Sequence, residues 1–156
     1  MESWDIHSAR RCSAALGRPR SPDELMPYLA CNWPRVIIHA ITVREAPQGT
    51  SFGAIRARIG LGALRPSDVR VSVVPLDRPT AQSAAIRLSA SAERCRDGSH
   101  LFDGVIPTEA LTRRRCTVRV TPAAELPAWS YILTPIERHV PRERVGSLTT
   151  VDQGSP

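Results

Sequence analysis

The sequence predicts an all-β protein with a short N-terminal helix, and three observations carry that prediction. The first is period-two alternation. Ile55, Ala57, Ile59 and Leu61 point one way while Ala54, Arg56, Arg58 and Gly60 point the other, as in a strand with one buried and one wet face. The second is recurrence: stretches of this kind come at sandwich-like intervals, separated by Pro, Gly, Asp and Ser. The third is composition, with 14 prolines and few long runs of helix formers. Together they predict a two-sheet antiparallel sandwich of about seven strands, immunoglobulin-like in its layering.

Taken in order, residues 1–20 are small, polar and Arg-rich, and predict a poorly ordered N-terminal segment. Residues 21–34 predict a short helix and linker. Ser21 is placed to cap, Pro22 suits the first helical position, and Asp23 and Glu24 complement the dipole. Leu25, Met26, Tyr28, Leu29 and Cys31 give the helix an apolar side, and Pro34 ends it. Residues 35–140 hold the sandwich, with strands at 35–43, 53–61, 69–75, 84–90, 100–106, 115–121 and 130–136. Gly62 breaks the alternation after Leu61, and Arg65-Pro66-Ser67-Asp68 supplies turn chemistry. The segment 53–74 is therefore either a β-hairpin or a sandwich corner. Asp97-Gly98 is a favoured tight-hairpin dipeptide. The expected core is Ile37, Ile41, Ile55, Ile59, Val69, Val71, Val73, Ile86, Leu88, Phe102, Ile106, Val118, Val120 and Ile132. No helical period is visible after residue 35. Residues 141–156 are polar and Gly/Ser/Pro-containing, and predict a flexible tail.

Four motifs, in order, carry a family resemblance over residues 30–140. The stretch LGALRPSDVRVSVV resembles the Leu-Gly-x-Leu-x-Pro-x-Asp-Val-x-Val segment in the C-terminal domain of bacterial α-glucan (glycogen or maltodextrin) phosphorylases. Trp33-Pro34-Arg35-Val36 resembles the Trp before that domain's first strand. HLFDGVIP at 100–107 resembles its Phe-Glu-Gly-x-Val-Pro strand, with Asp103 in place of Glu. CTVRVTP at 116–122 resembles its Tyr-Thr-Val-Arg-Val-x-Pro strand, with Cys116 in place of Tyr. In that family a longer helix joins the domain to the catalytic body, so the short helix here is a departure.

Composition bounds the chemistry. The 156 residues suit one domain with a real core. All 21 basic residues are arginine, so no side chain can form a Schiff base with pyridoxal phosphate. The formal charge of +6 would draw nucleic acid or another anion, yet the arginines are scattered and aromatics are 4% of residues, too few for base stacking. Cys12, Cys31, Cys95 and Cys116 form no Cys-x-x-Cys pair, which argues against zinc. Cys116, alternating with Val118 and Val120, reads as a small core residue. No apolar run is long enough for a membrane span, and the N-terminus makes a poor signal peptide. A cytoplasmic protein with reduced thiols is the expectation.

No catalytic constellation is legible. Glu45, Asp68, Asp77, Asp103, Glu109 and Glu125 lie mostly at turns, where solvated carboxylates are the rule. Cys95 and His100 flank the Asp97-Gly98 turn and could face each other on a hairpin. Gly60-Leu61-Gly62 does not open a helix, so it fails as a phosphate cradle. The resemblance implies phosphorylases that hold pyridoxal phosphate on a lysine between two large domains. This chain lacks both, so no catalytic, cofactor or metal residue is carried over. The implied role is a non-catalytic accessory domain of glycogen or maltodextrin metabolism, acting through contact with a phosphorylase catalytic region or another glycogen enzyme. The first alternative is a small α-glucan-binding module, with Trp33 and Trp129 as the rings that would touch glucan or a partner. Against it, Trp33 would pack the helix and Trp129 would cap the core. The second alternative is an Arg-rich nucleic-acid or anion binder.

Overall fold

A computed structural model describes residues 17–44, 50–76, 85–113, 115–124 and 133–141. The expectations for residues 1–16 and 142–156, and for Ile132, lie outside this set. Helix α1 spans Pro22–Asn32 and runs into a 3-10 turn at Trp33–Arg35. Seven strands follow: β1 Ile37–Arg44, β2 Phe52–Gly60, β3 Val69–Pro75, β4 Ile86–Arg94, β5 His100–Pro107, β6 Cys116–Pro122 and β7 Ile136–His139. A second short helix, α2, spans Thr108–Arg113.

Every strand pairing is antiparallel, in the order β1-β2-β5-β4-β3-β6-β7. Strand β4 turns this order into two layers. Its first half, Ile86 to Leu88, pairs with β3, whereas Ser89 to Arg94 pair with β5. One layer is therefore β1-β2-β5 and the end of β4, and the other is the start of β4 with β3, β6 and β7. At the far edge Arg138 on β7 donates from Nη1 to the carbonyls of Ile38 and His39 on β1, at 2.7 and 2.6 Å. The expected all-β sandwich is observed, nearly closed into a barrel. Strands β2 and β3 are not neighbours, so residues 53–74 form a sandwich corner and not a hairpin. Gly62 turns it with φ +60, and the carboxylate of Asp68 accepts the Arg65 N–H at 2.7 Å.

The core lies where alternation put it. Ile55, Ile59, Val69, Val71, Val73, Leu88, Phe102, Ile106, Val118 and Val120 are buried, and so is Cys116. Helix α1 closes one end with Met26, Tyr28 and Leu29. Three expectations are corrected by local geometry. Strand β1 carries an irregularity between Ile38 and Ala40, which resets its alternation. Ile38 is buried, Ile37 is 52% exposed, and Ile41 is half-buried, as is Ile86 on β4. Ser21 precedes α1 but makes no side-chain cap, and Glu24 instead accepts the Arg20 N–H at 2.7 Å. The last strand begins at Ile136, and Leu133–Pro135 are not strand. Helix α2 shows no period because six residues are fewer than two turns. Cys31 is disulfide-bonded, which corrects the expectation of reduced thiols at that position. Cys95 and Cys116 are free.

Gly104 shows how tightly the layers meet. A Cβ there would lie 2.4 Å from Cδ2 of Leu88, itself a core side chain. Gly104→Ala is expected to destabilise by about 1–3 kcal/mol through overpacking. A Cβ on Gly60 would meet the ring of exposed His39 at 2.7 Å, and that ring can swing into solvent. Urea midpoints should therefore fall for Gly104→Ala and barely move for Gly60→Ala. Equal midpoints would contradict this reading of the layer contact.

Candidate functional site

Trp33 sits on the 3-10 turn that joins α1 to β1. Its ring is 6% exposed and its indole N–H donates to the Thr134 carbonyl at 2.8 Å. It thereby ties the start of the sandwich to the segment entering β7. An open cleft of about 390 Å³ lies beside it, with Val36, Leu133 and Ile136 among its walls. Trp33 is thus a packed ring at a cleft edge and not a free platform. Trp129 lies outside the described residues. A second cleft, about 400 Å³, opens where β4 changes partner, between Val69, Val71, Arg87, Ser89 and Phe102.

The outer face of the β1-β2-β5 layer carries two large exposed apolar side chains, Phe52 and Val105. Residues directly opposite in an antiparallel pair share a face. Phe52 faces Pro107, and Ala54 faces Val105 on one side and Arg44 on the other. Phe52 is 55% and Val105 61% exposed. The next row holds Thr42, Arg56, Asp103 and Ser89. There Arg56 grips Asp103 with both prongs, Nε to Oδ1 at 2.6 Å and Nη2 to Oδ2 at 3.1 Å. That hydrogen bond first, and the carboxylate charge second, hold the guanidinium still more firmly protonated. Sequence reasoning missed this patch because it started β2 at Gly53. Extending the wet row of Ala54, Arg56 and Arg58 back by two would have exposed Phe52.

The remaining titratable groups are structural. In the β4–β5 turn Asp97 accepts the Ser99 hydroxyl at 2.6 Å and the Ser99 N–H at 3.0 Å, and these bonds hold its carboxyl below the usual range. Gly98 takes φ +82 in the same turn. The register sets His100 opposite Arg94 and Ile59, while the Cys95 N–H bonds to the Ser99 carbonyl, so the turn does not pair Cys95 with His100. Burial pushes the Asp68 carboxyl up, against the pull of Arg18 at 3.6 Å. No group of three or more His, Cys, Asp or Glu among the described residues is placed to hold a metal. No helix among them is long and apolar enough to cross a membrane.

His100 yields a pH prediction. Burial first, and Arg94 second, lower its pKa below the ordinary value of 6.5. The unfolded chain therefore binds the proton more readily than the folded one. Stability contributed by the neutral ring is present above the unfolded value and is lost as pH falls from there through the lower folded value. The urea midpoint should begin to drop as pH falls below about 7.5, and His100→Gln should flatten that drop. An unchanged pH profile in His100→Gln would assign the effect to other groups.

No curated protein matches the chain. Among solved structures, the carbohydrate binding module of the muscle glycogen-targeting subunit of Protein Phosphatase-1 is similar at 14% identity and a TM-score of 0.40. The match covers 68% of this chain and 74% of that one. A likeness that distant fixes neither ligand nor partner. The family model described as the glycogen phosphorylase C-terminal domain matches residues 33–136, from Trp33 to the first residue of β7. The chain belongs to the glycogen phosphorylase C-terminal domain family.

Proposed function

We propose that the chain is a non-catalytic accessory domain of glycogen or maltodextrin metabolism that acts through protein–protein contact. The partner in this reading is a phosphorylase catalytic region or another glycogen enzyme. The family match over residues 33–136 carries the proposal. Two further observations support it. The chain has no lysine on which pyridoxal phosphate could be held. Its large exposed apolar side chains on β2 and β5, Phe52 and Val105, are neighbours on one sheet face. Membership of a glycogen phosphorylase domain family supports a cytoplasmic location, and the Cys31 disulfide is the observation that pulls the other way.

A small glucan-binding module is the second reading. The open cleft beside Trp33 favours it, with Trp33 and Trp129 as its contact residues. An Arg-rich anion binder has less support, because Asp103 and the apolar row interrupt the arginines of this face. Native affinity electrophoresis through gels with and without glycogen or amylose separates the first two readings. Unchanged mobility is the expected result. Retardation by either polysaccharide would make the protein a glucan-binding module and overturn the proposal.

A further inference from the structure

We propose that two copies of this chain associate through the outer edge of β1, Ala40 to Arg44, paired antiparallel about a two-fold axis at Thr42.

Strand β1 ends the strand order and meets β2 on one side only. In an antiparallel strand, alternate residues turn their N–H and C=O to opposite sides. The side of β1 away from β2 therefore carries donors and acceptors that no strand takes up among the described residues. At Ile38 and His39 the Arg138 side chain fills that place, donating from Nη1 to both carbonyls. From Ala40 to Arg44 no side chain does so among the described residues.

An open strand edge is a template for another strand unless charge, proline or a bulge blunts it. Strand β4 is also open, on the side that β3 leaves beyond Leu88. There Glu93 and Arg94 are exposed and the register shifts between Ala90 and Arg94, so that edge is blunted. The shift in β1 comes before Ala40, and its open stretch carries one charge, Arg44, at the end.

Self-complementarity makes the occupant a second copy. An axis at Thr42 sets Thr42 against Thr42, Ile41 against Val43 and Ala40 against Arg44. Ile41 and Val43 face inward, opposite Ala57 and Ile55, and are only half-buried although they pack on the core. Pairing covers the open flank of each with an aliphatic side chain, and Arg44 meets alanine and not arginine. Arg56 lies one strand behind Thr42. Three strand spacings, about 14 Å, separate it from its counterpart across the axis, further than the Debye length of about 8 Å at physiological salt. Repulsion between two chains of formal charge +6 is thus the long-range term, and added salt should strengthen the pairing. Five residues a side make a contact smaller than a standard interface, so the dimer is weak and concentration-dependent.

Sedimentation equilibrium of the whole chain, alone, from roughly 1 μM to 1 mM tests this. A monomer–dimer equilibrium that tightens with salt is expected. Thr42→Lys and Thr42→Asp each bring like charges together at the axis and should weaken self-association by about tenfold or more. Mixing the two variants should restore the dimer, because lysine then faces aspartate. Ser89→Lys adds the same charge to the same outer row, but on β4, and should associate like the unmodified protein. Thr42 and Ser89 are exposed, and far-ultraviolet circular dichroism checks that each variant folds. A monomer at every concentration would overturn the proposal. A dimer that both Thr42 variants leave intact would overturn this edge. A mixture that fails to recover would overturn the axis at Thr42. Equal loss in Ser89→Lys would mean net charge alone, and would overturn it too.

Discussion

Trp33→Ala should destabilise the protein by about 3–5 kcal/mol. The ring is 6% exposed, in contact with the helix end on one side and the approach to β7 on the other. Its removal leaves a cavity at a junction between segments a hundred residues apart. It also leaves the Thr134 carbonyl without the indole donor that meets it at 2.8 Å. A loss of that size is a large part of a typical domain's total stability. Trp33→Phe separates the two contributions. It restores most of the apolar volume and should cost about 1 kcal/mol for the missing hydrogen bond. Urea unfolding followed by circular dichroism measures both. Stability unchanged in Trp33→Ala would show that the ring is dispensable to packing, and would return it to the list of free contact residues.

A second large effect is expected at Phe102. On β5 it stands between Ala57 of β2 and Ala90 of β4, directly opposite each. One large ring between two small neighbours fills the interior of that layer, and it is 2% exposed. Phe102→Ala sets three alanines in a row across β2, β5 and β4. The expected cost is about 3–5 kcal/mol, or a drop of roughly 6–20 °C in melting temperature for a chain of this size. Phe102→Leu should recover more than half of it. Similar melting temperatures for Phe102→Ala and the unmodified protein would mean that the layer collapses around the site.

These two residues show what the sequence made legible. Phe102 was readable because β5 alternates cleanly, with Ile106 on the same side. Trp33 was readable because a proline follows it at the end of an amphipathic helix, where a large ring has a helix and a sheet to bridge. Ile37 and Ile38 were not separable. Which of two adjacent isoleucines turns inward depends on the irregularity at His39, a pairing property that no local pattern encodes. The partner change of β4 at Leu88 and Ser89 was hidden for the same reason. The candidate surface was half legible: Arg56 and Arg58 stood in the wet row, while Asp103 was grouped with the turn carboxylates. Phe52 fell just before the expected strand and Val105 read as an ordinary strand residue until pairing placed them on one face.

Sedimentation velocity on a mixture of the protein and a purified phosphorylase catalytic region is the most direct measurement. The account predicts a complex that sediments faster than either component alone. Two species sedimenting independently at every salt concentration would contradict a role in protein–protein contact.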